Sequence, residues 1–198
     1  MIHGLRVSCL VLVLAMSASV ASVASAAEYH SAGAPTTITG SQSSTNAFHV
    51  PGAGTVECTT ATFHSAQATT TTKELTVHPT YGGCKAFGFA NTHINTAPCN
   101  YTFTEPSGGK AAVHVACSGG SISITPTFLG SSVCTMTVGS QTTGGNVDLA
   151  NQAGGKVLVT STVTNIAHSA GCGASAAADG TYTGSVLTQG SAGAISVS

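Results

Sequence analysis

The stretch from Cys99 to Cys117, CNYTFTEPSGGKAAVHVAC, reads as a single β-hairpin. Cys99, Tyr101 and Phe103 are spaced by two, so they share one strand face, and Val113, Val115 and Cys117 do the same on the return. Between them, EPSGGK supplies the proline and glycines of a turn. With the turn centred near Ser107 and Gly108, Cys99 falls opposite Cys117. Directly opposed Cβ atoms in an antiparallel pair are close enough for a disulfide. The segment is therefore expected to be a hairpin stapled at its open end, with the sulfurs on its apolar face.

The other cysteines fit an oxidising compartment. Residues 1–26 read as a secretory signal peptide: Arg6 forms the positive region, Val7 to Met16 the short apolar run, and Ala24-Ser25-Ala26 the small-x-small cleavage site. Cleavage is expected after Ala26, which removes Cys9. Six cysteines remain, an even number with no C-x-x-C pair, and this points to disulfides rather than zinc or redox chemistry. Six cysteines allow fifteen pairings, and spacing alone does not choose among them. The expected set is sequential: Cys58–Cys84 around a Thr-rich connection, Cys99–Cys117, and, by elimination, Cys134–Cys172.

Short runs rich in Val, Ile, Thr, Tyr and Phe alternate with turn residues along the rest of the chain. In TVECTTATF, Val56 and Cys58 share a face, and then Ala61 and Phe63 do. The phase slips by one between them, which predicts a β-bulge near Thr59 and Thr60. No stretch carries a 3.6-residue apolar period with caps, so no substantial helix is expected after the signal peptide. The fold class expected is all-β: a disulfide-stapled antiparallel sandwich, Ig-like or jelly-roll-like. The organisation expected is a polar leader over 27–45 and one β domain over 46–198.

Charge excludes several partners. Without Arg6 the chain has four lysines, no arginine and six carboxylates, so its formal net charge moves from −1 to −2. Nucleic acid and anionic membrane surfaces are poor partners for such a chain. No second apolar span follows the signal peptide, so no integral membrane segment is expected, and the extracellular partner or surface is left open.

Catalytic motifs are absent. There is no G-x-S-x-G elbow, and a triad drawn from His168, Asp148 or Asp179 and one of many serines has no sequence support. Glu57, Glu74 and Glu105 offer carboxylates for glycoside chemistry, but Glu57 and Glu74 alternate with apolar residues and should face solvent. The histidines lack metal-ligand spacing, and His78 and His114 fall on outer strand faces. No catalytic residue, cofactor or metal is assigned. Phe63, Tyr81, Tyr101, Phe103 and Phe128 are expected in the core, while Phe87 and Phe89 are either core or an exposed aromatic lip. Thirty threonines, often as Thr-x-Thr, suit outer strand faces in a chain that avoids charge. Asn100-Tyr101-Thr102 is a glycosylation sequon, relevant only in a eukaryotic source.

The pieces TVECTTATF, VHPTYGGCKAFGFA, CNYTF, CTMTVGSQ and GTYTG, in that order, resemble a group of small secreted proteins of unknown function from high-GC actinobacteria. The resemblance spans about residues 54 to 187 and implies a bacterial source. It brings no activity and no functional residue. The function expected is that of a secreted, non-catalytic extracellular or envelope-associated structural or binding protein. The alternatives are a secreted hydrolase with a dispersed site and a Thr-rich binder of ice or a repetitive polymer.

Overall fold

The computed structural model describes residues 28–107 and 109–198. The signal peptide expected over 1–26 and Gly108 of the hairpin turn lie outside the described residues. Those residues form strands and turns, with no helix.

Eight strands close a ring. They are β2 (Thr36–Val50), β4 (Thr60–Gln67), β6 (Glu74–Gly82), β9 (Cys99–Ser107), β10 (Lys110–Cys117), β15 (Gly144–Gln152), β16 (Lys156–His168) and β17 (Ala177–Gly190). Each pairs antiparallel with the next in chain order, and β17 returns to β2. The result is an up-and-down barrel rather than the expected sandwich. Alternation shows that one face of each strand is buried, but it does not show whether the last strand meets a second sheet or the first strand. The ring closes through β2, whose Thr36–Ser41 half pairs with Gln67–Thr62 of β4. That half is the small, polar TTITGS expected to be leader. The boundary expected at residue 46 thus falls inside a strand, and β1 (Tyr29–Ser31) also belongs to the domain. Threonine carries the strand here, with Ile38 the one large apolar residue of this half.

The Cys99–Cys117 hairpin forms β9 and β10. Val113 faces Phe103, Val115 faces Tyr101, and Cys117 faces Cys99.

Long β2 does two jobs. Past Asn46 it still pairs with β17, but on its other side it pairs with β3 (Gly54–Cys58). From β3 a wing continues through β7 (Cys84–Ala86), β8 (Ala90–Asn95) and β11 (Ile122–Phe128), with β12 (Ser131–Ser132) and β13 (Met136–Val138) on β11. Two-residue β14 (Gln141–Thr142) lies beside the end of β10. The chain passes from wing to barrel at Thr59, where burial changes phase: Val56 and Cys58 are buried on one side of it, Ala61 and Phe63 on the other. Facing this bulge is Gly83, at φ +59°, where a Cβ would lie 2.1 Å from Thr59 Oγ1.

The disulfides gather where wing meets barrel. Cys58–Cys84 ties the β3–β4 crossing to the β6–β7 crossing, and Cys99–Cys117 closes the β9–β10 hairpin. Cys134–Cys172 ties the outer wing to the β16–β17 connection. At the opposite mouth a three-stranded plug forms from β1, β5 (Thr71–Thr72) and β18 (Ile195–Val197). The Asn151 side chain pins the plug to β15, donating to Val197 O at 2.8 Å and accepting from Val197 N at 2.9 Å.

Candidate functional site

Most inward positions of the barrel strands are apolar. Phe63, Val77, Val113, Val115, Leu149, Val157, Val163 and Val186 point in, while Thr62, His64, Thr76, His78, Asn146 and Thr162 are exposed between them. A barrel that crosses a membrane turns an apolar band outward and polar residues inward. This wall is the reverse. Among the described residues, no helix is long and apolar enough to cross a membrane.

The side chains do not fill the interior. A cavity of about 150 Å³ runs inside the barrel, bounded by the plug at one mouth (Tyr29, Ile195) and by the wing at the other (Val56, Ile94, Ile122, Ile124, Val138). Closure with eight strands leaves an interior that side chains fill or that holds one small ligand. None of the described lining residues is Lys, Arg, Asp or Glu.

All four tyrosines of the chain line this cavity. Three sit at the wing end. Tyr182 donates to buried Asn46 Oδ1, and Tyr81 donates to Tyr182 at 3.4 Å. The hydroxyls of Tyr101 and Tyr81 are 3.1 Å apart. Each hydroxyl has one hydrogen, so Tyr101 must donate to Tyr81. The chain therefore runs one way, Tyr101 to Tyr81 to Tyr182 to Asn46, and Asn46 Nδ2 donates on to Ser44 O at 3.1 Å. Burial raises the Tyr101 and Tyr182 hydroxyls above the ordinary phenol range. Tyr81 is raised well above it, by burial first and then by its two phenol neighbours.

The plug end is different. Tyr29, raised by burial alone, has a buried hydroxyl with no hydrogen-bond partner. Gln67 donates through Nε2 to the Tyr29 backbone O at 3.4 Å. Its Oε1 is buried and unpartnered. The other polar groups on this wall bond to backbone: Ser65 donates to Thr76 O at 2.6 Å, and Thr188 donates to Val157 O at 2.7 Å.

The residues weighed for catalysis do not meet in this cavity. His168 and Asp179 come together at the frayed end of the β16–β17 ladder, with His168 Nε2 2.8 Å from Asp179 Oδ1 and His168 Nδ1 3.0 Å from Ser169 O. Both ring nitrogens thus face oxygens of Asp179 and of the Ser169 backbone, and neither contact is to a serine hydroxyl. Asp148 instead pairs with Lys110 on the surface, at 2.5 Å. Glu57 and Glu74 are exposed, and the Glu105 side chain lies outside the description. Among the described residues, no three His, Cys, Asp or Glu side chains gather as a metal cage. His114 is hydrogen-bonded across strands to Thr142 Oγ1 at 2.9 Å. Thr62, Thr76 and Thr162 lie on the outer wall, whereas Thr36 is buried and Thr143 and Thr188 line the cavity.

Phe128 corrects the expected core: it is 53 % exposed. It ends β11 where the turn to β12 projects beyond the wing, and its ring packs edge-on against Phe89 at 6.1 Å. Phe87 and Phe89 form the exposed lip, with Leu129 and Val133 beside them.

Fold and cavity together define a class: a closed up-and-down β-barrel around an apolar, uncharged pocket. No known protein family, curated protein or solved structure matches the chain. Sequence reasoning placed Phe63, Tyr81, Tyr101 and Phe103 inside but took them for solid core. It assigned Tyr29, Gln67 and Asn46 no role. The readable signal for Gln67 was its place in the period-two face of Ala61, Phe63 and Ser65.

Proposed function

We propose that this is an exported, non-catalytic binding protein whose barrel holds one small, mainly apolar molecule. The observation that carries the reading is the largely apolar cavity of about 150 Å³ inside the barrel, lined by plug residues toward one mouth and by wing residues toward the other. An apolar cavity of this size stays dry and takes a guest about as large as benzene. Cys58–Cys84 and Cys134–Cys172 tie the wing to the barrel, and all three disulfides suit the oxidising compartment that the leader implies.

Toluene tests the reading. It is expected to raise the thermal midpoint with concentration, as any ligand that binds only the folded state does. It should also shift the amide resonances of the inward strand positions. Ser161 lines the wall, and Ser161→Leu places hydrocarbon in the cavity. That variant is expected to lose the effect. Toluene that changes neither midpoint nor resonances removes the proposal.

A second reading, attachment to an envelope surface, rests on the lip of Phe87, Phe89, Phe128, Leu129 and Val133. Co-sedimentation with uncharged lipid vesicles, lost in Phe89→Ser, would support it. A curved wall offers poor register to a flat lattice such as ice, and the His168 ring nitrogens, turned to Asp179 and to Ser169 O, favour the non-catalytic reading.

A further inference from the structure

We infer that an apolar ligand enters the barrel at the wing end, past the exposed Phe87 ring, and that Phe87 gates its exchange. The inference rests on the binding reading above and adds the route to the cavity.

The route follows a thin place in the wall. A second void, of about 20 Å³, lies under the wing beside the cavity. Phe48, Val56 and Ile124 line both voids, so one layer of three side chains separates them. Phe48 and Val56 are cross-strand partners on β2 and β3, and Ile124 lies on β11. The small void is also bordered by Gly54, Phe87 and Cys172, none of them buried. The Phe87 ring lies over Gly54: a Cβ added at Gly54 would meet Phe87 Cδ1 at 3.4 Å. Phe87 is 44 % exposed, so the same side chain touches solvent and the void. Its backbone is left-handed, at φ +56°, a region unfavourable for a bulky residue, and such positions gather at ligand clamps and switch regions.

The other ways in require backbone to separate. Round the barrel each strand is hydrogen-bonded to the next, and β2 on β4 closes the ring. The plug is tied by backbone bonds, Ser31 N to Thr70 O and Ala32 N to Ala194 O, both 2.8 Å, and by the two Asn151 bonds to Val197. At the wing end the rotation of side chains is enough. Moving a side chain between rotamers costs less than leaving buried backbone groups unpaired. The approach is also uncharged. Residues 50–56, 86–91, 122–138 and 169–178 supply all of the small void's lining except Phe48, and they contain no Lys, Arg, Asp, Glu or His. Phe89, Phe128, Leu129 and Val133 are exposed and extend this apolar surface outward from Phe87. A hydrocarbon thus passes from the lip to the cavity along uncharged residues.

Toluene exchange tests the route. Amide line shapes recorded through a toluene titration give its association and dissociation rates. Phe87→Ala is expected to raise both by about tenfold, the low end of the span over which association rates vary among variants of one site, and to leave the dissociation constant unchanged. Phe87→Trp is expected to lower both. Asn151→Ala, which frees the plug's bonds to β15, is expected to leave both at wild-type values. Rates equal to the wild type in both Phe87 variants, with toluene still bound, overturn the route and leave the binding reading standing. Faster exchange in Asn151→Ala alone places the entrance at the plug and overturns the route as well. A changed dissociation constant with an unchanged association rate makes Phe87 part of the wall and overturns its gating role. Failure of toluene to bind the wild type overturns the binding reading and this inference together.

Discussion

Raising the pH above 10 should unfold this protein through its tyrosines. A phenol in an unfolded chain ionises near pH 10. In the folded barrel burial raises all four, Tyr29, Tyr81, Tyr101 and Tyr182, above that value. Below pH 10 both states keep their phenol protons, and the full stability is present. Above it the unfolded chain releases protons that the folded chain retains, so stability falls as pH rises toward the folded values. Each retained proton costs about 1.4 kcal/mol per pH unit. Four tyrosines that all keep their protons set the upper bound of this slope, about 5.5 kcal/mol per pH unit. Domains are stable by about 5–15 kcal/mol, so at that slope the transition should come about one to three units above pH 10. The assay is absorbance at the phenolate band after a pH jump, with circular dichroism recorded on the same samples. The chain has no tryptophan to obscure the signal. Phenolate absorbance and loss of strand signal should share one midpoint and rise more steeply than a one-proton titration. Tyr29→Phe should flatten the slope by about a quarter. Phenolate appearing near pH 10 with the strand signal intact would refute the burial of the four tyrosines inside the barrel.

Three further outcomes follow from local geometry. Replacing Cys99 and Cys117 together with Ala should cost about 3 kcal/mol in urea unfolding, and the Cys134/Cys172 pair about 0.7 kcal/mol more. The larger loss reflects a sequence separation of 38 against 18. Tyr182→Phe leaves Asn46 Oδ1 buried without its donor, with an expected loss of about 1–3 kcal/mol and an unchanged fold by circular dichroism. Gly83→Ala forces a side chain into a left-handed position against Thr59 Oγ1, and should cost about 1–3 kcal/mol in the same unfolding assay.

What the sequence by itself determined is local. Period-two alternation placed Tyr101, Phe103, Val113 and Val115 on one buried face and set the register of β9 on β10. The phase slip between Cys58 and Ala61 marked the crossing at Thr59, and the even cysteine count marked a stapled chain. Alternation reports only which face of a strand is buried. It carries no information on which distant strand lies beside it, and so barrel closure by Thr36–Ser41 against β4 was decided by tertiary structure. The cavity is also non-local, since empty space depends on how inward side chains from eight strands fail to meet. The contact between Tyr29 and Gln67 has the same origin: they are 38 residues apart, and Gln67 Nε2 reaches Tyr29 O only when the plug closes on β4. Phe128 shows the converse. Its apolar character fits a core position, but a turn that overshoots the wing left it in solvent beside Phe89.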